Sequence, residues 1–447
     1  MGRCRSCEAI PCLRAISIWL ALGLFSSISA QVVETSKSTD QSENSGGGAL
    51  LFSPAAAPLP ADETPTGGGM ISGLFGKNEA PFQYAIHLTL RGAYDDNIAL
   101  THLDRMDDYF VEIQPALLVG IGDLVRQNTF LAVMYLPSFF RYDEHSEFNS
   151  DQHVVHVLGG LTPTDKITLR MSEDIAIREN IVLAATSQER SGLGTTNGRT
   201  DLGTFATRLS LNYNMTPSDF LFSELKANMT EYAAPLISSE LYGGDLYLNH
   251  GFTQQLVLGM GVEAGFNRVD SPTPDQQTVQ TNAHLNFTPN THFTIDIIAG
   301  EEFRTFENHA RGTYDTPVFL ISSSWAPDEN LKISATASRQ IFNSAAATAQ
   351  DYVDTSFNGL LREHIFKPVY VTVLGGWEHV EYFNAIDAPM PLPTLTTDYF
   401  YWQPSLDIVF TRWWIFGGYY LRRQNTGSVE TVDFKSNEFG VRTTIKF

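Results

Sequence analysis

Thiol chemistry is all but missing from this sequence, because its 3 cysteines, Cys4, Cys7 and Cys12, lie together near the start of the chain. If that stretch is removed as a leader, disulfides, zinc thiolates and a cysteine nucleophile go with it. Charge is scarce too, at 18% Asp, Glu, Lys and Arg against about 25% in an average soluble domain. Basic residues are the scarcer kind: 29 Lys and Arg face 50 Asp and Glu, for a formal net charge of −21. A chain this acidic repels phosphate backbones, so no nucleic-acid partner is expected. Beyond the first thirty residues there is no apolar run of the ~18 residues that a spanning helix needs. A membrane location therefore requires a closed β-barrel, the other structure that pairs every backbone group in lipid.

Catalytic and metal-binding patterns are also lacking. The sequence has no G-x-S-x-G, Walker A or dinucleotide-binding signature, and no local motif sets a nucleophile beside His87, His364 or His379. On a strand, His153 and His156 point to opposite faces and cannot share an ion. The acidic stretch from Asp143 to Asp151 lacks EF-hand spacing and reads as a solvated loop. We therefore expect no enzyme activity, no cofactor and no metal site.

What is present begins with a leader-like start. Arg3, Arg5 and Arg14 precede the apolar run Ala15 to Leu24, and the small residues Ser26, Ser27, Ser29 and Ala30 follow. This predicts a secretory signal peptide over 1–30, cleaved after Ala30. Residues 31–81 are rich in Pro, Gly, Ser and acidic residues, a composition that cannot repay ordering entropy by burial. They are expected to be a flexible periplasmic segment, with Met70 to Phe75 as a short apolar stretch able to dock at a barrel mouth.

From residue 82 onward, apolar and polar residues alternate with period two, the signature of strands wetted on one side only. Leu256, Leu258, Met260, Val262, Ala264 and Phe266 share one face; Gly259, Gly261, Glu263, Gly265 and Asn267 share the other. Turn chemistry recurs at Thr162-Pro163-Thr164-Asp165, Thr216-Pro217-Ser218-Asp219, Thr288-Pro289-Asn290 and Ala326-Pro327-Asp328-Glu329, where Pro presets φ and Asp or Asn binds local amides. Tight turns centred near 123, 164, 218, 254, 290, 328, 367 and 411 alternate with nine longer polar loops. That count predicts an all-β, antiparallel, up-and-down transmembrane barrel over 82–447, of about 18 strands (16–18). Pro115 and Pro404, at like positions in two similar strands, are expected to mark a local bulge or bend. In the final strand Phe439, Val441, Thr443, Ile445 and Phe447 share a face. That pattern resembles the closing strand read by the outer-membrane assembly machinery, with Val441, Ile445 and Phe447 as the assembly signal.

The segment Ala93-Tyr94-Asp95-Asp96-Asn97-Ile98, followed by Asp107-Asp108-Tyr109-Phe110 and Gln114-Pro115-Ala116-Leu117, resembles the opening hairpin of a β-barrel porin family of outer-membrane proteins linked to exopolysaccharide production. The family tends to show Pro-Gly-Leu where this chain has Pro115-Ala116-Leu117. The resemblance implies a barrel in the outer membrane of a Gram-negative cell, touching lipid and lipopolysaccharide. More loosely, it implies transport of small polar solutes or a role beside polysaccharide export. The alternation places Arg91, Arg170, Arg208, Glu224, Lys226, Glu263, Asp296, Glu302, Lys332, Glu438 and Arg442 on the inward face as lumen-lining candidates. Eighteen strands about 4.8 Å apart and tilted near 40° give a backbone diameter of roughly 35 Å, wide enough for water. The expected function is passive passage of hydrophilic solutes; the competing expectation is a docking barrel whose lumen is shut by residues 31–80.

Overall fold

In a computed structural model, which describes residues 82–124, 128–182, 199–307, 312–345, 349–385 and 395–447, the chain forms 18 antiparallel strands. The expected signal peptide and the segment 31–81 lie outside the described residues. The first nine strands are β1 (Phe82–Asp95), β2 (Asp108–Gly122), β3 (Phe130–Tyr142), β4 (Ser150–Thr164), β5 (Ile167–Val182), β6 (Arg199–Asn214), β7 (Asp219–Tyr232), β8 (Ser239–Gly251) and β9 (Leu256–Val269). The rest are β10 (Gln276–Asn290), β11 (Phe293–Phe306), β12 (Thr313–Trp325), β13 (Leu331–Asn343), β14 (Gln350–Phe366), β15 (Val369–Asn384), β16 (Thr396–Thr411), β17 (Trp414–Gly427) and β18 (Phe434–Lys446). Each strand pairs with its successor, and β1 also pairs with β18 from His87↔Lys446 to Asp95↔Glu438. The sheet therefore closes on itself as the up-and-down barrel that turn counting predicted, at the upper strand number.

The alternation fixes which face looks outward. Met260 is 77% exposed, Tyr84 66% and Leu225 62%, whereas Gln83, Thr89, Arg91 and Glu224 on the opposite face are buried. An outward apolar wall around a polar interior is inverted relative to a soluble core, and it is the pattern of a barrel set in hydrocarbon. The wall is not uniformly apolar: Glu173 points outward and accepts a hydrogen bond from Thr207 Oγ1 at 2.5 Å. The glycines on the inward face of β9 do not line water. A Cβ on Gly259 would stand 2.0 Å from Asn249 Oδ1 and one on Gly261 2.2 Å from the Tyr247 ring, so both glycines make room for side chains of β8.

Of the bulge or bend expected at Pro115 and Pro404, the register shows no bulge at either. Between β2 and β3 the ladder lapses from Ile113↔Phe139 to Leu117↔Tyr135 without a change of register, and Pro115 there stands level with Pro137. Between β16 and β17 it lapses from Trp402↔Arg422 to Ser405↔Tyr419, again in register. A missing N–H removes ladder bonds without requiring an extra residue, and the intact ladder on the other edge holds each strand in step.

Closure is pinned from inside by polar side chains. Arg91 of β1 pairs with Glu112 Oε2 of β2 at 2.6 Å and Glu438 Oε1 of β18 at 3.1 Å. Its guanidinium lies 5.1 Å from the Phe110 ring centroid and 5.7 Å from that of Phe140. Above it, Arg423 donates to Asp95 Oδ2 at 2.5 Å, and Ser436 Oγ donates to Asp95 Oδ1 at 2.9 Å. Lower down, Thr89 Oγ1 and Thr444 Oγ1 are 2.9 Å apart, and the Phe447 amide donates to Ile86 O at 2.8 Å. Replacing Arg91 by Ala leaves buried Glu112 without its cation and Glu438 with only the longer contact to Arg423 at 3.7 Å, which costs roughly 3–5 kcal/mol. Urea unfolding of the protein folded into lipid vesicles should show that loss for Arg91→Ala, with most of it recovered when Arg91→Met is combined with Glu112→Gln and Glu438→Gln.

Candidate functional site

The interior is a lumen that two parts of the chain enter from the loop end of the barrel, opposite the tight turns. The first is the β1–β2 connection, 96–107. Asn97 organises it: the side-chain amide donates to Thr101 O and Lys435 O, each at 2.9 Å, and Asn97 Oδ1 accepts from the Thr101 amide at 3.2 Å. This clasp holds Leu100 at φ +51°, a left-handed conformation that a leucine adopts only when its surroundings enforce it. The enforced position drives Leu100 inward among Leu360, Leu374, Tyr399, Tyr401 and Phe434, from β14, β15, β16 and β18. Beside it, Ile98 and Ala99 pack on Phe148 from the β3–β4 connection.

The second intrusion is made by the upper ends of β13 and β14. The β12–β13 ladder stops at Phe319↔Arg339, although β12 runs on to Thr313 beside β11 and β13 runs on to Asn343 beside β14. Past that point the β13–β14 pair leaves the wall and crosses behind β12. Its former outward face then lies on the inward faces of β9, β10 and β11. Asn343 meets Asn267 of β9 in a short hydrogen bond. Gln276 of β10 donates to Asp351 Oδ1 at 3.2 Å, and Arg304 of β11 donates to Asp351 Oδ2 at 3.3 Å and to Ile341 O at 3.3 Å. Phe383 of β15 stacks on Tyr314 of β12 at 4.0 Å, and Arg339 pairs with Glu381 at 3.7 Å, which extends the overlap to β15.

All eleven lumen-lining candidates lie on the inward face, but their surroundings differ. Arg91, Glu224, Asp296, Glu302, Glu438 and Arg442 are buried, whereas Arg170, Arg208, Lys226, Glu263 and Lys332 keep partial exposure. The structure brings together Arg91 with Glu438, Arg208 with Glu224 at 3.9 Å, and Lys226 with Glu263 in a short contact. Three other candidates find partners that sequence reasoning missed. Arg442 forks onto Asp407 with its closest approach at 2.7 Å, Arg304 pairs with Glu302 at 2.8 Å, and His284 Nε2 lies 3.0 Å from Asp296 Oδ2. Arg170 lies over the Phe130 ring at 5.6 Å, and Lys332 stands level with Arg362 across the β13–β14 ladder. Half-buried inward side chains run along β4 to β7 at Arg170, Ser172, Asp174, Arg208 and Lys226, with His156 and Asp174 in short contact; others lie beyond it, at Asp245, Glu263, His284, Lys332 and Asn358. Val441, Ile445 and Phe447 all lie on the outward face of the closing strand, Val441 and Phe447 exposed and Ile445 partly so.

No protein-family model and no curated relative matches the sequence. Among solved structures, the chain is similar to OccK2 (OpdF) of Pseudomonas aeruginosa, at 11% identity and a TM-score of 0.42 over 81% of this chain and 98% of that one. It is similar to OccAB3 of Acinetobacter baumannii, at 9% identity and 0.40 over 81% and 99%. It is also similar to the siderophore receptor PirA of Pseudomonas aeruginosa, at 9% identity and 0.38 over 81% and 80%.

Leu100 is the apolar anchor of the 96–107 strap, and a carboxylate cannot occupy its nest without a large desolvation cost. Leu100→Asp should therefore lift the strap. A cysteine placed at Leu374 should then react with a water-soluble maleimide at least about tenfold faster, the equivalent of about 1.4 kcal/mol of lost closing free energy. An unchanged labelling rate would show that the strap stays down without its anchor.

Proposed function

We propose that the chain is an outer-membrane barrel of a Gram-negative cell that lets small hydrophilic solutes pass passively along the inner wall of β4 to β7. The observation that carries this reading is the half-buried polar inner face at Arg170, Ser172, Asp174, Arg208 and Lys226, which contrasts with the buried inner face of β1, β2 and β18 at Gln83, Arg91, Glu112 and Glu438. Side chains that keep contact with water on the inside of a closed wall leave a wetted route. Facing ion pairs such as Arg208 with Glu224 present both signs to whatever moves along it. The outward aromatic and aliphatic wall suits lipid and lipopolysaccharide, and the closing strand with Val441, Ile445 and Phe447 suits recognition by the assembly machinery. The accessory role beside exopolysaccharide export belongs to this proposal through the resemblance of the first hairpin. Its supporting residues are Ala93 to Ile98 and Asp107 to Leu117.

A second reading, a docking barrel without transport, is favoured by the same two intrusions, which together occupy much of the loop-side half of the lumen. The occluder assigned to residues 31–80 lies outside the described residues. Planar-bilayer recordings separate the readings. The full chain is expected to give stable stepwise currents in potassium chloride, and removal of residues 31–81 should leave the step size unchanged or larger. Silence from both forms, each folded by the criterion of heat-modifiable gel migration, would leave the docking barrel standing.

A further inference from the structure

The folded-in ends of β13 and β14 have a second place to go. If the β12–β13 ladder continued past Phe319↔Arg339 in the same register, Val318 would meet Gln340, Pro317 would meet Ile341 and Asp315 would meet Asn343. The stretch of β12 that this requires, Thr313 to Val318, is already extended and held by β11 on its other side. The stretch of β13, Gln340 to Asn343, is already extended and held by β14. We propose that the β13–β14 end is a two-position gate: latched inside across β9 to β11 in the structure described above, and zipped into the wall beside β12 when the lumen is clear.

Three features support two positions over one fixed fold. The crossing is held to the opposite wall largely by hydrogen bonds and ion pairs, namely Asn343 with Asn267 and Asp351 with Gln276 and Arg304. Two backbone links add to them, from Ile237 N to Ala345 O at 2.9 Å and from Ala349 N to Thr273 Oγ1 at 3.1 Å. Such bonds exchange with water at small net cost when a segment moves. The apolar contacts of the same end join Phe342 and Tyr352 to Val380, Tyr382 and Leu395, on the β15 and β16 side and not on the wall of β9 to β11. The hinge is also well placed: Arg339 holds Thr355 Oγ1 at 2.6 Å, so β13 and β14 stay joined at the point where the β12–β13 ladder stops, while β15 remains paired with β16 up to Glu381↔Thr396. Pro317 offers no N–H to the zipped ladder, which weakens the wall position and keeps the latched one preferred. A change of this kind is a hinge between discrete arrangements, each with its own set of bonds.

This inference rests on the passage reading for its purpose, but its test does not depend on current. Two cysteine pairs share one residue: Asn343→Cys with Asn267→Cys reports the latched position, and Asn343→Cys with Asp315→Cys reports the zipped one. In the latched fold, Asn343 lies at β9, three strands from β12, or about 14 Å at ~4.8 Å per strand. A disulfide to residue 315 then cannot form, because bridged Cα atoms lie within about 7 Å. Both pairs are made in the full chain with Cys4, Cys7 and Cys12 changed to Ser, folded into vesicles and oxidised mildly. The 267–343 bridge should form quickly. The 315–343 bridge should form slowly but to completion, and faster once Asp351→Asn removes the charge that Arg304 holds. Failure of the 315–343 bridge in both backgrounds, while 267–343 closes, would overturn the gate. If currents are present, the 267–343 bridge should abolish the larger conductance step and reductant should restore it; a step indifferent to the bridge would overturn the gate and leave passage standing. Absence of current in every form, with both bridges forming, would sink the passage reading and leave the two positions intact.

Discussion

Every backbone N–H and C=O that faces hydrocarbon must be paired within the protein, since lipid offers no replacement. The rest of this structure follows from meeting that demand with strands. A sheet satisfies it only if no edge is left, so β1 must find β18, and the even strand number brings the two together antiparallel. The residues that hold this seam are those expected at a junction that cannot be allowed to open. Inside, Arg91 reaches up to Glu438, which stands level with Asp95; Arg423 pairs with Asp95, and the Phe447 amide is tied to Ile86 below. Prolines in mid-strand would ordinarily threaten the ladder. Here two of them, Pro115 and Pro137, are set level with each other, so the lost donors fall in one gap of the ladder.

The same closure creates the opposite difficulty indoors. An interior wide enough for water at roughly 35 Å of backbone diameter must be either wet or filled, and a charge within a filled region is tolerable only with a partner. This barrel does some of each. Around β1, β2, β17 and β18 the charges are buried and cross-linked beneath the 96–107 strap; Glu302 and Arg304 of β11 are buried beside Asp351 at the folded-in end of β14. From β4 to β7 they stay half-buried. Buried polar networks and wetted pairs thus share one inward face, and what separates them is the piece of chain that comes in to cover them.

That distinction also marks what the sequence could reveal. Strand limits, the eight turns and the sidedness of each strand are local properties, written in period-two alternation and in Pro, Asp and Asn at the turns, and the structure bears them out. Partner identity is not local. Nothing within β18 announces that Arg442 meets Asp407, or within β10 that His284 meets Asp296, because register between strands is set by the whole sheet. Inward-folding loops are a middle case. Ile98-Ala99-Leu100 is an apolar triplet inside a connection that is otherwise polar apart from Leu103 and Met106, and a triplet of that kind is costly to leave in water; it was the available signal for the strap. The crossing of β13 and β14 carried none, since Ile341, Asn343 and Asp351 fit an ordinary wall as well as a lapped one.

With two sectors of the lumen covered, the character of any route through it is decided by the sector left open and not by the chain's overall charge. The net charge of −21 is spread over the whole molecule, and its field is screened within about 8 Å at physiological ionic strength. Along β5 to β7 the inward side chains instead include Arg170, Asp174, Arg208 and Lys226, with Arg208 3.9 Å from the buried Glu224 across the β6–β7 pair. Paired charges of this kind give a transverse field with little net potential. Such a field orients dipolar and hydrogen-bonding molecules while neither attracting nor rejecting one sign strongly. The local field along the inner wall thus follows from side-chain placement, on which overall composition is silent.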